Sequence, residues 1–341
     1  MEQKMSSEAK KLHTNSIVVD GHCDTLMKIE NGSLDFGKGP IENSKNLNLG
    51  SNVSHIDLPR LKAGGVTTQV MACFVEKKFL PADATNQALR MIDGLYRVLD
   101  KHDSSFKLVK TAKEIEVVKE KGINSAMLAL EGAESLEGEL AILRMFYQLG
   151  LRQVGLTWNW RNQAADGLGE ARTGGGLTEF GVDMVKEANR LGIILDIAHL
   201  APAGIRDILE ISEQPIVDSH CGARGLTDHV RNLDDNQLEA VAKSGGVVCV
   251  TFVKDFINSD SEKASIEDVF KHIDYMVKKI GVDHVGIGSD FDGVPGYLPG
   301  LEDASKMSDL TAGLLERGYS EKDVASIMGG NYLRVIKTVC G

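Results

Sequence analysis

Two side chains that bind divalent metal ions follow the first apolar run of the chain, at His22 and Asp24 in the sequence VVDGHCD of residues 18–24. In an extended segment alternate side chains share a face, so we predict that this pair points one way and Cys23 the other. One imidazole and one carboxylate can then bind a single cation. The same spacing also suits a turn with a solvated acid, and ligands elsewhere in the chain must decide between the two interpretations.

Four more side chains of this kind occur where other apolar segments end. They are Glu131, His199, His220 and Asp290. Each one alone has a structural interpretation, such as a helix cap, a turn residue or a histidine satisfied at a strand end. Their shared position predicts a metal site, because the carboxyl ends of the strands of a parallel barrel meet on one rim.

The number of ligands indicates two metal ions. We predict that His22 and Asp24 hold one ion and that His199 and His220 hold the other, with Glu131 bridging them. Imidazole and carboxylate ligands without thiolates suit zinc or manganese. Two cations roughly 3.5–4 Å apart lower the pKa of a shared water and stabilise the oxyanion formed when it attacks a carbonyl, which predicts a hydrolase.

Two further residues complete the predicted chemistry. Asp290 is our candidate for the acid that gives a proton to the leaving amine, with Asp292 as a rival or as a turn residue before Gly293. Arg231 is positioned either to bind a substrate carboxylate or to form a surface ion pair with Asp234 or Asp235.

Eight apolar segments alternate with segments of helical periodicity. The predicted strands begin near residues 16, 66, 126, 153, 193, 215, 247 and 284. The predicted helices cover 84–99, 111–121, 139–149, 181–191, 203–211, 235–243 and 266–280. Eight parallel strands close an α/β barrel of the (β/α)8 TIM type, so we predict one domain over residues 1–341, with residues 31–54 as a loop over its mouth. An open doubly wound sheet is the rival, but no GxGxxG motif follows the first strand.

Charge and cysteine content narrow the classes of partner. The chain of 341 residues has 38 basic and 49 acidic residues and a net charge of −11, which argues against nucleic acid and anionic membranes and favours a small-molecule substrate. Its five cysteines form no CxxC pair, and the charged N-terminal segment has no apolar core. With no stretch long enough to span a membrane, these features predict a cytoplasmic protein.

The chain resembles the membrane (renal) dipeptidase family, peptidase M19, from about residue 16 to residue 336. The motifs that carry the resemblance are DGHCD at 20–24, LEG at 130–132, GLTEFG at 176–181, DIAH at 196–199, DSHC at 218–221, VRN at 230–232, GSDFDG at 288–293 and GNYLR at 330–334. The resemblance implies a metal-dependent-hydrolase (amidohydrolase-like) barrel that cleaves dipeptides, often with a D-residue second, and that forms homodimers.

The resemblance also assigns roles to residues. It implies two zinc ions per subunit, held as predicted above and bridged by Glu131, with a hydroxide between the ions as the attacking group. Asp290 would transfer protons and bind the substrate amine, and Arg231 would bind the substrate carboxylate. Mammalian members have a substrate-contacting histidine where this chain has Trp158, and an indole can neither accept a hydrogen bond nor be protonated.

Mammalian members are also secreted and membrane-anchored. This sequence shows neither signal, so we expect a bacterial cytoplasmic relative. Two alternatives remain at this level. One is another barrel amidohydrolase that acts on N-acyl amino acids, lactones or cyclic amides. The other is a zinc-binding or scaffold protein without turnover.

Overall fold

Eight parallel strands form a closed ring in the computed structural model, which describes residues 6–41 and 54–341. The strands are β1 (Val19–Asp20), β2 (Thr68–Phe74), β3 (Asn124–Glu131), β4 (Leu151–Gly155), β5 (Ile194–Asp196), β6 (Ile216–Cys221), β7 (Val247–Val250) and β8 (Val285–Ile287). Each strand pairs with the next, and β1 pairs with β8 at Asp20 and Ile287 to close the ring. The predicted (β/α)8 TIM barrel is confirmed.

Both faces of the barrel strands are buried, as expected for parallel strands covered by helices. Along β3, Met127 and Ala129 belong to one apolar cluster, whereas Leu128 and Leu130 belong to another. Glu131 continues the face of Met127 and Ala129, so its side chain points into the barrel at the carboxyl end of the strand. The alternation therefore positions the Glu131 carboxylate inside the barrel at its carboxyl end.

Fourteen α-helices occur in the described residues. They are α1 (Ser7–Asn15), α2 (Thr25–Glu30), α3 (Leu58–Ala63), α4 (Ala84–Lys101), α5 (Ala112–Glu120), α6 (Leu140–Gln148), α7 (Glu179–Leu191), α8 (Pro202–Ile211), α9 (Asp235–Lys243), α10 (Lys254–Ile257), α11 (Ile266–Ile280), α12 (Met307–Glu316), α13 (Glu321–Ala325) and α14 (Asn331–Cys340). The seven predicted helices correspond to α4–α9 and α11. None of the helices in the part of the chain described is long and apolar enough to cross a bilayer.

The amino end of the barrel is closed by the C-terminal helix. Tyr332 of α14 is almost fully buried in the apolar cluster that contains Met127 and Ala129. Its hydroxyl donates a hydrogen bond to Oε1 of Gln153 on β4. Since α14 fills this end, the described residues leave the carboxyl end of the barrel for a ligand, as is usual for this fold.

Three local features differ from the prediction. A short ninth strand, Phe106–Leu108, pairs with the start of β3; it is too short to give a periodic signal. Within the predicted 31–54 loop, Leu34–Asp35 and Gly39–Pro40 form a small antiparallel hairpin, and residues 42–53 lie outside the described residues. The first strand ends at Asp20, earlier than the extended segment that we predicted through Asp24.

Candidate active site

The six predicted ligand and acid residues come together at the carboxyl end of the barrel. His22 and Asp24 follow β1, Glu131 ends β3, His199 follows β5, His220 lies in β6, and Asp290 follows β8. All six are buried, with at most 8% of any residue exposed. A cavity of about 230 Å³ lies above them, lined in part by Asp24, Glu131, His199, Arg231 and Asp290.

The first predicted pair is formed, but not by extended backbone. His22 Nε2 lies 3.3 Å from Asp24 Oδ2. Asp24 is the N-cap residue of α2, with φ −103° and ψ 19°, so the two side chains converge across a turn. Cys23 is fully buried on the other side, where its backbone forms an isolated β-bridge with Phe291. Burial raises the pKa of its thiol far above the ordinary value.

Glu131 lies between the two predicted ligand pairs and directs one oxygen toward each. Its Oε2 is 3.5 Å from His22 Nε2, whereas its Oε1 is 3.0 Å from His199 Nε2 and 3.7 Å from His220 Nε2. Burial would raise the pKa of Glu131, but the His22 and His199 imidazoles outweigh it and lower the pKa well below the ordinary value. The carboxylate therefore stays ionised and has the geometry of a bridging ligand.

His199 and His220 present their Nε2 atoms to the same space, 3.0 Å apart. Each Nδ1 has a neutral partner: Asn159 Oδ1 at 2.8 Å from His199, and Ser219 Oγ at 2.8 Å from His220. An amide oxygen can only accept, so Nδ1 of His199 carries the proton and the Nε2 lone pair faces Glu131. Burial lowers the pKa of both histidines, that of His199 to about 4, which favours the neutral form that binds metal.

The backbone around these residues is tightly constrained. His199 and Asp290 have φ of 67° and 62°, a region that residues other than glycine rarely adopt. The N–H of Leu168 donates to the carbonyl of His199 at 2.8 Å. A Cβ at Gly293 would lie 2.3 Å from Oδ2 of Asp24 and from Oδ1 of Asp290, so only glycine fits between the two carboxylates.

The donor atoms fit divalent cations. Three overlapping groups each bring their donor atoms within 4.8 Å of one another: His22, Asp24 and Glu131; Glu131, His199 and His220; and His22, His220 and Asp290. Nε2 of His22 and Oδ1 of Asp24 are buried without a hydrogen-bond partner in the part of the chain described, which is costly unless a cation engages them. Nitrogen and oxygen donors with no thiolate suit zinc or manganese.

The two aspartates after β8 point in different directions. Asp290 faces the ligands, with Oδ1 3.9 Å from His22 Nε2, and lines the cavity. Asp292 faces away from the cavity and accepts hydrogen bonds from Thr25 Oγ1 at 2.7 Å and from Lys28 Nζ at 2.9 Å. The rival interpretation of Asp292 as the acid is therefore disfavoured by its position.

Arg231 lines the cavity from the loop after β6. It is 5% exposed, its Nη2 donates to the carbonyl of His220 at 3.0 Å, and its guanidinium lies 5.5 Å from the centre of the Phe256 ring. The alternative surface pair with Asp234 or Asp235 does not occur. Asp234 caps α9, and Asp235 pairs with Lys279 instead.

Trp158 forms an aromatic wall of the same cavity. Its ring stacks on His199 with centroids 5.5 Å apart and contacts Phe74 at 5.3 Å. The sequence prediction placed Trp158 at the site but missed Asn159 and Ser219. The available signal for Asn159 was its position in the loop after the fourth strand, next to the predicted site residue Trp158.

The sequence matches a known protein family over nearly its whole length. Residues 6–340 match the model of the membrane dipeptidase family, peptidase family M19. The chain belongs to this family. It is therefore a dipeptidase of the M19 metallopeptidases, and a hydrolase.

Individual relatives agree with this assignment. An uncharacterized dipeptidase of Schizosaccharomyces pombe is 34% identical over 347 aligned positions, covering 96% of this chain and 82% of that protein. Dipeptidase tcpJ of Claviceps purpurea is 34% identical, and the alignment covers 84% of this chain and 69% of that protein. A metallopeptidase from Rhodobacter sphaeroides, solved with a phosphinate mimic of the dipeptide L-Ala-D-Ala, is 30% identical. The match covers 95% of this chain and 100% of that chain, with a TM-score of 0.85.

Proposed function

We propose that this M19 dipeptidase is a dizinc enzyme that hydrolyses both L,L- and L,D-dipeptides. The observation that carries the proposal is the position of Glu131, which directs one carboxylate oxygen to His22 and the other to His199 and His220. In this arrangement His22 and Asp24 would hold one ion, and His199 and His220 would hold the second. When bound, the two cations supply an acidified water and stabilise the negative charge on the peptide carbonyl oxygen.

The residues of the chain orient the substrate between a guanidinium group and a carboxyl group. Arg231 binds the terminal carboxylate, since its guanidinium is buried, lines the cavity and pairs with no carboxylate in the part of the chain described. Asp290, which lines the same cavity, contacts the free amino group. A dipeptide has both charges at a fixed separation, so the two contacts select its length.

Asp290 also transfers the proton. Burial raises the pKa of its carboxyl well above the ordinary value, and the neighbouring Asp24 and Glu131 carboxylates raise it further against the opposing effect of His22 and Arg231. A carboxyl with a raised pKa can take a proton from the attacking water and give it to the leaving amine. Trp158 packs against the substrate as an apolar wall and takes no part in proton transfer.

Acceptance of a D-residue is supported by the related Rhodobacter sphaeroides enzyme, whose ligand mimics L-Ala-D-Ala. The apolar side chains of Phe74, Trp158 and Phe256 contribute to the wall of the cavity over the ligands. A wall of this kind gives few directional contacts by which to select the configuration of the second residue.

The predicted homodimer and cytoplasmic location remain predictions.

The test is metal analysis combined with hydrolysis of a matched dipeptide panel. We expect two zinc ions per chain, loss of activity on treatment with a chelator, and recovery when zinc is returned. L-Ala-L-Ala and L-Ala-D-Ala should both be cleaved, whereas N-acetyl-L-Ala-L-Ala should not, because it has no amine for Asp290. Faster hydrolysis of the acetylated peptide would favour the amidohydrolase alternative, and full metal content without turnover of any peptide would favour the non-enzymic one.

A further inference from the structure

A second, larger cavity adjoins the active site. It has a volume of about 620 Å³ and is lined in part by Leu80, Pro81, Glu134 and Trp160. Trp158, which lines the active-site cavity, contacts Trp160 with ring centroids 4.5 Å apart. The two tryptophans therefore form a continuous aromatic surface from the metal ligands into the second cavity.

Glu134 is a buried carboxyl at the wall of this cavity. It lies in the turn after β3, is 6% exposed, and packs so closely on Gly132 that a Cβ there would lie 2.0 Å from its Oε2. A neutral amide donates a hydrogen bond to it, since Asn162 Nδ2 lies 3.1 Å from Oε1. Among the described residues no lysine, arginine or histidine forms an ion pair with it. The carboxyl is thus buried beside open space without a compensating positive charge.

Two basic side chains line this cavity, and neither forms an ion pair with Glu134. Arg161 forms an ion pair with Asp166, and its Nη2 lies 2.8 Å from Oδ2. Lys77 is exposed, with Nζ 6.0 Å from the centre of the Trp160 ring. Burial raises the pKa of Glu134 to about 7, an effect that its own backbone N–H, Asn162 and Trp160 offset only in part. Neither cation of the wall neutralises the carboxyl.

An aromatic wall beside a buried, uncompensated carboxyl is the chemistry that binds an alkylammonium or guanidinium group. The apolar stem of such a group packs on the indole, the charge interacts with the ring, and the carboxylate forms a charge-assisted hydrogen bond. We propose that this cavity binds the side chain of a lysine or arginine in the dipeptide substrate, with Glu134 as its partner and Trp160 as its wall. This inference rests on the proposed function and names the class of substrate that the same site prefers.

The experiment compares the holoenzyme with two variants on pairs of substrates that differ in one charge. The pairs are Lys-Ala against norleucine-Ala, and Ala-Lys against Ala-norleucine, with Ala-Ala as the reference. Glu134→Gln removes the charge but keeps an oxygen for Asn162. Glu170→Gln removes a charge at the exposed rim of the same cavity, where the carboxylate side chain is 38% exposed.

We expect kcat/KM to favour the lysine substrate over the norleucine substrate by about tenfold in one of the two pairs. In Glu134→Gln this ratio should fall to about 1, mainly through KM, whereas Glu170→Gln should keep it within about twofold, since exposed pairs contribute little. Wild-type enzyme without a preference for lysine in either pair would overturn the proposal. So would an equal loss on both substrates in Glu134→Gln, which would indicate a structural role.

Two further readouts distinguish a bound substrate side chain from a bound effector and from an inactive enzyme. Addition of n-butylamine should inhibit Lys-Ala or Ala-Lys hydrolysis competitively; activation of Ala-Ala hydrolysis instead would identify a free amine as an effector and overturn the substrate assignment. Hydrolysis of Ala-Ala by the wild-type enzyme is measured first, so a failure of the proposed function shows as no turnover of any dipeptide. Circular dichroism of each variant establishes that it is folded.

Discussion

Asp290 and Asp292 are two residues apart on one turn, yet their surroundings are opposite. Both have positive φ, at 62° and 68°. Asp290 faces other carboxylates across the site, and burial raises the pKa of its carboxyl. Burial acts on Asp292 in the same direction, but hydrogen bonds from His55 and the charge of Lys28 outweigh it and lower the pKa of that carboxyl.

This contrast shows that residue type and local spacing do not assign a chemical role here. Asp292 joins three segments, because it accepts hydrogen bonds from Thr25 and Lys28 on α2 and from the backbone N–H of His55. Asp290 has no comparable set of donors among the described residues and faces the substrate cavity. Asp292 connects the walls of the site, whereas Asp290 faces the cavity, as the proton transfer that we propose requires.

The largest effect is expected from Asp290→Asn. Asparagine tolerates positive φ, so the turn should persist, but the amide cannot shuttle a proton. We expect kcat on L-Ala-L-Ala to fall by about 10²–10⁴-fold, the usual contribution of a general acid or base. Steady-state kinetics at full metal occupancy measures this. The thermal midpoint should stay level or rise, because a carboxyl crowded by Asp24 and Glu131 is replaced by a neutral group.

Asp292→Asn is the matched substitution on the same turn and should have the reverse pattern. It removes the charge that faces Lys28, and loss of one partner of a buried pair destabilises a protein by about 3 kcal/mol. Urea unfolding measures this free energy. The kcat of the folded fraction should remain within about threefold of wild type, a far smaller change than general acid–base catalysis would give. Loss of kcat without loss of stability would mean that we assigned the two aspartates the wrong way round.

Asn159→Ala extends the comparison to a residue that acts through a ligand. Without its Oδ1 the Nδ1 proton of His199 loses its acceptor, and loss of such a partner typically weakens metal affinity by about 10–100-fold. Zinc affinity is measured by competition with a chromophoric chelator. Asn159→Asp keeps an acceptor and should retain most of the affinity. Equal affinities of wild type and Asn159→Ala would show that the contact is incidental.

The smallest effect is the pH dependence of the Asp292 contribution. The pKa of Asp292 in the folded state is below the ordinary value of an aspartate, so the folded protein binds fewer protons at this site than the unfolded chain. The stabilisation is fully present above about pH 4 and is lost as the pH falls toward the folded pKa. The difference in unfolding free energy between wild type and Asp292→Asn should therefore be constant from about pH 7 to about pH 5 and shrink below about pH 4. A difference that grows on acidification would contradict the assignment.

Much of the fold was predictable because its signals are local. Apolar segments of strand length and helices such as α9 and α11 stand out in the sequence, and α9 and α11 have the predicted bounds. The strand Phe106–Leu108 was not predicted, because three residues are too few to show the alternation of a β-strand. The convergence of His22, Glu131 and His220 followed from the closure of eight parallel strands.

Which donor groups stand at the strand ends follows from the sequence alone, because the alternation of side chains and the parallel order bring those ends to one rim. What each donor does depends on tertiary contacts. They place Arg231 against the carbonyl of His220, orient His199 through Asn159, and separate Asp290 from Asp292. The partners that set a side chain's charge are distant in sequence: the nitrogens that hold Asp292 belong to residues 264 and 237 positions away, so no local pattern could reveal them.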